Sequence, residues 1–256
     1  MENKKILLLA GKHTATHIVY HYLQKYFTGI EVILEEKENT KKFLRRRIRK
    51  LGLTKVIGQI AFQLCIAKPM ALLSQKRVDE ILLKNEMDAS PIPAPVIHAV
   101  QSVNQAKTVA LIKKINPGLV IVNGTRIISQ KVIEAAGCKM INTHAGITPK
   151  YRGVHGMYWA LVNRDIENSG VTIHYIDEGI DTGNIIDQAR VKPTSQDNFI
   201  TYPMLQLAAG LPLLKKAIED YFNNEIQVKE SKTESALWYH PTLWNYCYNR
   251  IFKKVK

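Results

Sequence analysis

Apolar and polar positions change their period several times along the chain, and each change marks an element. The opening KKILLLA is an apolar run behind a basic start and predicts a buried strand. THIVYHYLQKYF then places Ile18, Val19, Tyr22, Leu23 and Tyr26 at helical spacing, and GIEVILEE predicts a second strand. Such a strand–helix–strand opening points to a parallel sheet with helices on its faces. Farther on, AKTVALIKKI predicts a helix and GLVIVNG (118–124) a buried strand. SQKVIEAAG predicts a helix with Ser129 as N-cap and Gly137 at its end, and CKMIN (138–142) the next strand. GVTIHYID (170–177) alternates with period two. Thr172, His174 and Ile176 fall on one face, Val171, Ile173 and Tyr175 on the other. NFITYPMLQLAAGLPLLKKAIEDYF predicts a long helical stretch that Pro203 or Pro212 starts or kinks.

Residues 37–90 interrupt the alternation. KKFLRRRIRK (41–50) carries seven basic residues in ten positions and no acid, and VIGQIAFQLCIA follows, too short to span a bilayer. The expected arrangement is a solvated helix followed by a buried one. The competing one is a basic amphipathic helix, residues 41–50 meeting an anionic membrane surface or another anionic ligand. ASPIPAPVIHAV, with prolines at alternate positions, reads as a connector. The tail ALWYHPTLWNYCYNRIFKKVK is rich in aromatics and ends basic. The expected organisation is a catalytic domain over 1–222, with a basic and apolar insertion at about 37–90, and a short C-terminal extension over 223–256.

The 256 residues, 46% of them hydrophobic, suffice for one sizeable core. No apolar stretch of about 18 residues is free of charge, so no transmembrane helix is predicted. The N-terminal apolar run is short and reads as a strand, not a signal peptide. Cys65, Cys138 and Cys247 lie far apart and form neither a disulfide framework nor a metal spacing, which suits a reducing cytoplasm. A net charge of +14 favours anionic partners (a nucleotide, nucleic acid, polyglutamate or an acidic membrane) without choosing among them.

Candidate chemistry gathers where the 138–142 strand ends. Residues i and i+2 of a strand point the same way, so Asn142 and His144 reach one spot beyond it, where ligands of parallel α/β sheets bind. An amide N–H and an imidazolium N–H there would face a developing oxyanion. The next strand exits into DEGIDTG (177–183), whose carboxylates would raise the pKa of His144 and keep it charged. Amide, imidazole and carboxylate together suit acyl transfer to an amine. A rival set is HTATHIVYH, with His13, His17 and His21 four residues apart. Spread over two turns and without an acid, they converge poorly, and no metal is expected.

INTHAGITPKYRG, followed by VTIHYIDEGIDTGNII 29 residues after Asn142, resembles the folate-dependent formyltransferase family. That family includes glycinamide ribonucleotide transformylase, methionyl-tRNA formyltransferase and the sugar N-formyltransferases. Its N-x-H and D-x-G-x-D-T-G elements are both present, and the likeness is good over 118–192, moderate on the flanks and poor over 37–100. The resemblance implies an α/β, Rossmann-like, mostly parallel twisted sheet with helices on both faces. It also implies Asn142, His144 and Asp181 as catalytic residues and 10-formyltetrahydrofolate as formyl donor. The pterin would lie against the backbone of Arg126, Ile127 and Ile128, with the loop from Asp177 through Gly179 to Asp181 closing over it.

The acceptor follows by elimination within the family. The purine enzyme's Gly-rich phosphate loop is here AGKHTATH, with the single glycine Gly11, though Lys12 and a helix N-terminus remain to attract an anion. The tRNA enzyme's additional barrel finds too few residues after Phe222, so no tRNA is expected. Sugar N-formyltransferases remain, and the expected acceptor is the primary amine of a nucleotide-linked sugar, on a cytoplasmic homodimer. Tyr151 and Arg152 either order their loop or, for Arg152, meet an anionic substrate. The alternatives are a glycinamide ribonucleotide transformylase and a non-catalytic formyltransferase-like protein that binds an anionic partner through 41–50. A nicotinamide dehydrogenase would want G-x-G-x-x-G, which AGKHTA lacks.

Overall fold

The computed structural model describes residues 4–231 and 233–256. The chain runs β1 (Ile6–Gly11), α1 (Thr14–Gln24), β2 (Glu31–Glu35), α2 (Thr40–Leu51), α3 (Leu53–Phe62), α4 (Lys68–Leu73) and α5 (Gln75–Lys84). It continues through β3 (Ile97–Val100), α6 (Ala106–Ile115), β4 (Leu119–Asn123), α7 (Gln130–Ala136), β5 (Met140–His144), β6 (Arg152–Gly153) and α8 (Gly156–Val162). The last elements are β7 (Gly170–Tyr175), β8 (Ile185–Arg190), α9 (Tyr202–Phe222), β9 (Leu237–Trp238) and α10 (Leu243–Phe252).

Seven strands form one sheet in the order β3-β2-β1-β4-β5-β7-β8. Pairing is parallel from β3 to β5, and antiparallel between β5 and β7 and between β7 and β8. Period-two alternation splits the buried side chains between two layers. Ile6 and Leu8 pack with Ile141 and Ile173 beneath α1 and α9; Leu7 and Leu9 pack with Val120, Val122 and Met140 beneath α6 and α7. Helices on both faces of a mostly parallel sheet are the fold expected.

Several local expectations need correction. The strand read as 138–142 runs from Met140 to His144, so Asn142 and His144 lie within it and not beyond it. The proline-rich connector ends in an edge strand, β3, paired with β2 once the prolines are past. Ser129 precedes α7, but its side chain makes no cap; its N–H donates to Asn104 Oδ1 instead. Pro203 lies in the first turn of α9 and Pro212 inside that helix.

The 37–90 region forms four helices. Helix α2 buries nothing, as a solvated helix should. The segment after it is only half-buried. α3, a π turn (Gln63–Ala67) and α4 run on as one stretch, Leu53–Leu73, long and apolar enough by length and composition to cross a membrane. Its inner side joins an aromatic cluster with Tyr158, Phe199, Tyr202 and Tyr246, which ties the C-terminal helix to the domain. The last segment also packs back on the loop after β5, where β9 pairs in parallel with β6.

Candidate active site

Along β5, Met140, Asn142 and His144 share the face that lies under α6 and α7 farther along the sheet. Across the antiparallel pairing, Asn142 is opposite His174 and His144 opposite Thr172. The face therefore changes from apolar to polar as it passes from β4 to β5 and β7. Because β7 opposes β5, the 176–184 loop leaves from the far end of the site. It reaches the site by folding back over this polar face and lowering Asp181 onto it.

Asp181 is the hub. Its Oδ2 accepts the Gly153 N–H at 2.9 Å and lies 3.3 Å from His144 Nδ1. Its Oδ1 lies 3.5 Å from Asn142 Nδ2 and 3.6 Å from His174 Nε2. The residue has φ +52°, a left-handed conformation that costs about 1 kcal/mol or more and is held here by those contacts. Burial pushes its carboxyl up, but His144, His174 and the Gly153 N–H together outweigh it. Asp181 therefore falls to about 2.

His144 is buried and faces acceptors with both nitrogens, Asp181 through Nδ1 and the Tyr151 carbonyl through Nε2 at 2.7 Å. Only an imidazolium donates to both. Burial nonetheless lowers its pKa below the usual 6.5, against the opposing pull of Asp181. The expectation of a raised value had the sign of the carboxylate right and omitted the burial. Gly146 makes room for the Nε2 contact. A Cβ there would sit 2.7 Å from Nε2 and on top of the Tyr151 carbonyl.

The other expected residues divide. Arg152 donates to the Ile180 carbonyl at 3.0 Å and so fastens the Asp181 loop, while its Nε is buried without a partner. The Tyr151 side chain does not open onto the site. Its ring is fully buried and its hydroxyl donates to Asp165, and what the residue offers the site is its backbone carbonyl. Asp177 Oδ1 accepts the Gly179 N–H and the Thr182 hydroxyl, closing the turn ahead of Asp181. Lys12 is exposed and paired with Glu36 at 3.3 Å. Arg126 is spent internally, its N–H on Glu35 and its guanidinium on the Gln101 and Glu36 carbonyls. Ile128 packs beneath α6 and α7, whereas the Ile127 side chain is exposed.

His13, His17 and His21 do not converge: His17 Nδ1 accepts the Ile92 N–H, and His21 Nε2 lies 3.1 Å from the Ser90 carbonyl. Among the described residues no cluster of three or more His, Cys, Asp or Glu could hold a metal ion.

Two contributors lie outside the expected set: His174, opposite Asn142 across the β5–β7 pairing, and Glu35, at the end of the apolar run EVILE. Glu35 is buried and accepts N–H groups from Val103 and Arg126, binding the loops after β3 and β4 together. A carboxylate ending an apolar strand was the available signal.

Residues 38–202 match the model of a family described as Formyl transferase. A methionyl-tRNA formyltransferase from Finegoldia magna is 33% identical over 125 residues, which cover 47% of this chain and 39% of that relative. Solved structures share the fold at lower identity. The N-formyltransferase from Helicobacter canadensis, in complex with folinic acid and dTDP-3-aminofucose, aligns with a TM-score of 0.53 at 21% identity, over 91% of this chain and 70% of that one. Phosphoribosylglycinamide formyltransferase from Streptococcus pneumoniae aligns with a TM-score of 0.54 at 20% identity, over 86% of this chain and 99% of that one.

Proposed function

The chain belongs to the formyl transferase family, and from that premise we propose that it moves a formyl group from 10-formyltetrahydrofolate to a primary amine. The observation that carries this reading is the convergence of Asn142, His144 and Asp181, from two separate segments, on one polar patch of the sheet. In it Asn142, half-buried, donates its amide to the oxygen that gains charge as the amine attacks the formyl carbon. In its protonated form, which its lowered pKa makes the minority one near neutrality, His144 contributes positive charge and a second N–H once its Nδ1 leaves Asp181. The Asp181 carboxylate, ionised at any working pH, takes the hydrogen bond of the incoming amine and directs its lone pair at the carbon; as the carbon–nitrogen bond to the folate breaks, the proton that the amine loses goes to the leaving folate nitrogen.

The folate suits the segment after β4. Among the described residues the N–H groups of Ile127 and Ile128 and the carbonyl of Arg126 make no hydrogen bond, and the Ile127 side chain is exposed beside them. Such an edge fits the donors and acceptors of a pterin ring with an apolar contact on its face. When bound, the folate supplies the activated formyl group. Asn142 and His144 polarise it, and Asp177 and Gly179 keep the opposing loop closed.

For the acceptor we take the amine of a nucleotide-linked sugar. A fold shared with an enzyme that holds dTDP-3-aminofucose supports it. Methionyl-tRNA is the second reading, favoured by the Finegoldia magna relative. Donor consumption should be assayed side by side with nucleotide-linked amino sugars, initiator methionyl-tRNA and glycinamide ribonucleotide. The highest kcat/KM should fall to a sugar. A preference for tRNA or glycinamide ribonucleotide replaces the acceptor and leaves the transfer chemistry standing, whereas no transfer to any amine overturns both.

A further inference from the structure

The stretch Leu53–Leu73 is amphipathic in an unusual sense. Val56, Phe62 and Ala67 are buried on its inner side. Its outward stripe, Leu53, Ile57, Ile60 and Leu64 at steps of four, three and four, is apolar as well and 39–57% exposed. Leu72 and Leu73 extend it. Beside it, α10 turns Tyr246 and Asn249 inward and leaves Trp244, Tyr248, Ile251 and Phe252 in the open. The Trp244 indole lies against Gly58 of α3, so the two stripes adjoin. A solvated helix puts polar residues outward, and a contiguous apolar surface of this kind marks a contact.

Charge says with what. No Asp or Glu occurs between Glu38 and Asp79, nor after Glu234. Those two segments hold 15 of the 36 Lys and Arg. The rest of the chain, with 21 Lys and Arg against 22 Asp and Glu, is nearly neutral. The excess charge of the protein is therefore carried by α2, α3, α4, α10 and their immediate flanks. Arg45, Arg49, Lys50, Lys55, Lys253 and Lys254 are all exposed there.

We propose that this face docks in the plane of an anionic bilayer. The α3–α4 and α10 stripes lie at the acyl boundary, Trp244 and Tyr248 at the interface, and the cations among the headgroups. The other side of Leu53–Leu73 is domain core, so the stretch lies on the membrane instead of crossing it. A second copy of the chain fits the face poorly. A two-fold contact would set one acid-free surface against another. Nucleic acid would meet the cations and leave the leucine and isoleucine stripe in water. An anionic bilayer satisfies both.

Docking would not be remote from the chemistry. Arg47 donates to Gln59 Oε1 at 2.7 Å, and Gln59 Nε2 donates to the His240 carbonyl at 2.7 Å. Leu237–Trp238, just before, pairs with Arg152–Gly153, whose Gly153 N–H holds Asp181.

The test is sedimentation of the full chain with vesicles of phosphatidylcholine alone and of phosphatidylcholine mixed with phosphatidylglycerol. Two variants accompany it, Ile57→Gln with Leu64→Gln, and Arg45→Gln with Arg49→Gln and Lys50→Gln. All five side chains are exposed, so melting should not change. We expect partitioning onto the anionic vesicles only. It should be weakened about 10²-fold by loss of the three cations, and it should weaken as salt rises. Loss of the two apolar residues should weaken it at least about tenfold. Absence of partitioning overturns the proposal. So does a concentration-dependent dimer that the apolar variant abolishes, or binding to tRNA that only the cationic variant loses.

Discussion

Asn142 Nδ2 lies 3.1 Å from Nε2 of His174, its direct cross-strand neighbour. The Nδ1 of His174 is 2.7 Å from the Tyr175 carbonyl and must carry the proton, so in the neutral ring Nε2 accepts the amide. His174 thus fixes which way the Asn142 amide points without touching a reacting atom. His174→Ala should lower kcat about tenfold, the rate equivalent of one misplaced hydrogen-bond donor, with KM for the folate held. Steady-state kinetics at saturating folate measures it, and an unchanged kcat would mean that Asp181 alone orients the amide.

Asn142→Ala, His144→Ala and Asp181→Ala should each reduce turnover by roughly 10²-fold or more. Circular dichroism should show the fold retained. Near-normal turnover in all three would remove the proposed chemistry from this patch.

Titration of His144 separates burial from charge. Its pKa should sit below 6.5 in the intact protein, because burial dominates, and should fall further in Asp181→Asn, which removes the opposing carboxylate. Histidine NMR reads both. No change between the two proteins would sever His144 from Asp181.

A second histidine pair governs acid stability. His155 Nε2 and His240 Nδ1 are 2.9 Å apart, joining α8 to the segment before α10. Burial holds His155 well below 6.5, and burial together with Arg47 takes His240 to about 4. Between pH 6.5 and about 4 the unfolded chain binds protons that the folded one refuses, so stability falls with falling pH there. The slope contributed is up to about 1.4 kcal/mol per pH unit for each histidine. Urea melts across that range should show a shallower slope in His155→Gln; an identical slope would exclude the pair.

Gly146→Ala should be costly, since its methyl group would press on His144 Nε2 and the Tyr151 carbonyl. Overpacking of this kind costs about 1–3 kcal/mol. A lowered Tm with loss of turnover is the expected result, and a variant with normal Tm and turnover would show that the loop yields.

Asn142 and His144 could be placed together because a strand's period fixes which side chains share a face, whereas the choice of Asp181 among the acids of its loop came from the likeness to the formyltransferase family. The direction of β7 could not be read in advance. Alternation looks the same in parallel and antiparallel strands, so the register that puts His174 opposite Asn142 left no trace in the sequence. Tyr151 misled for a related reason: what it gives the site is a carbonyl, which every residue has. The apolar run 56–67 predicted burial, but apolar spacing alone does not say whether one side of a helix is covered or both.

The ladder between Arg152–Gly153 and Leu237–Trp238 sets an order of events during synthesis. A chain emerging from the ribosome exposes β5 and the Asp181 loop long before β9, and domains begin to fold from the N-terminal side as they emerge. The sheet can assemble while the backbone that backs Gly153 is still being made. The anchoring of Gly153, and through it of Asp181, is then a late event of translation, and a chain released early would have the sheet without that anchor.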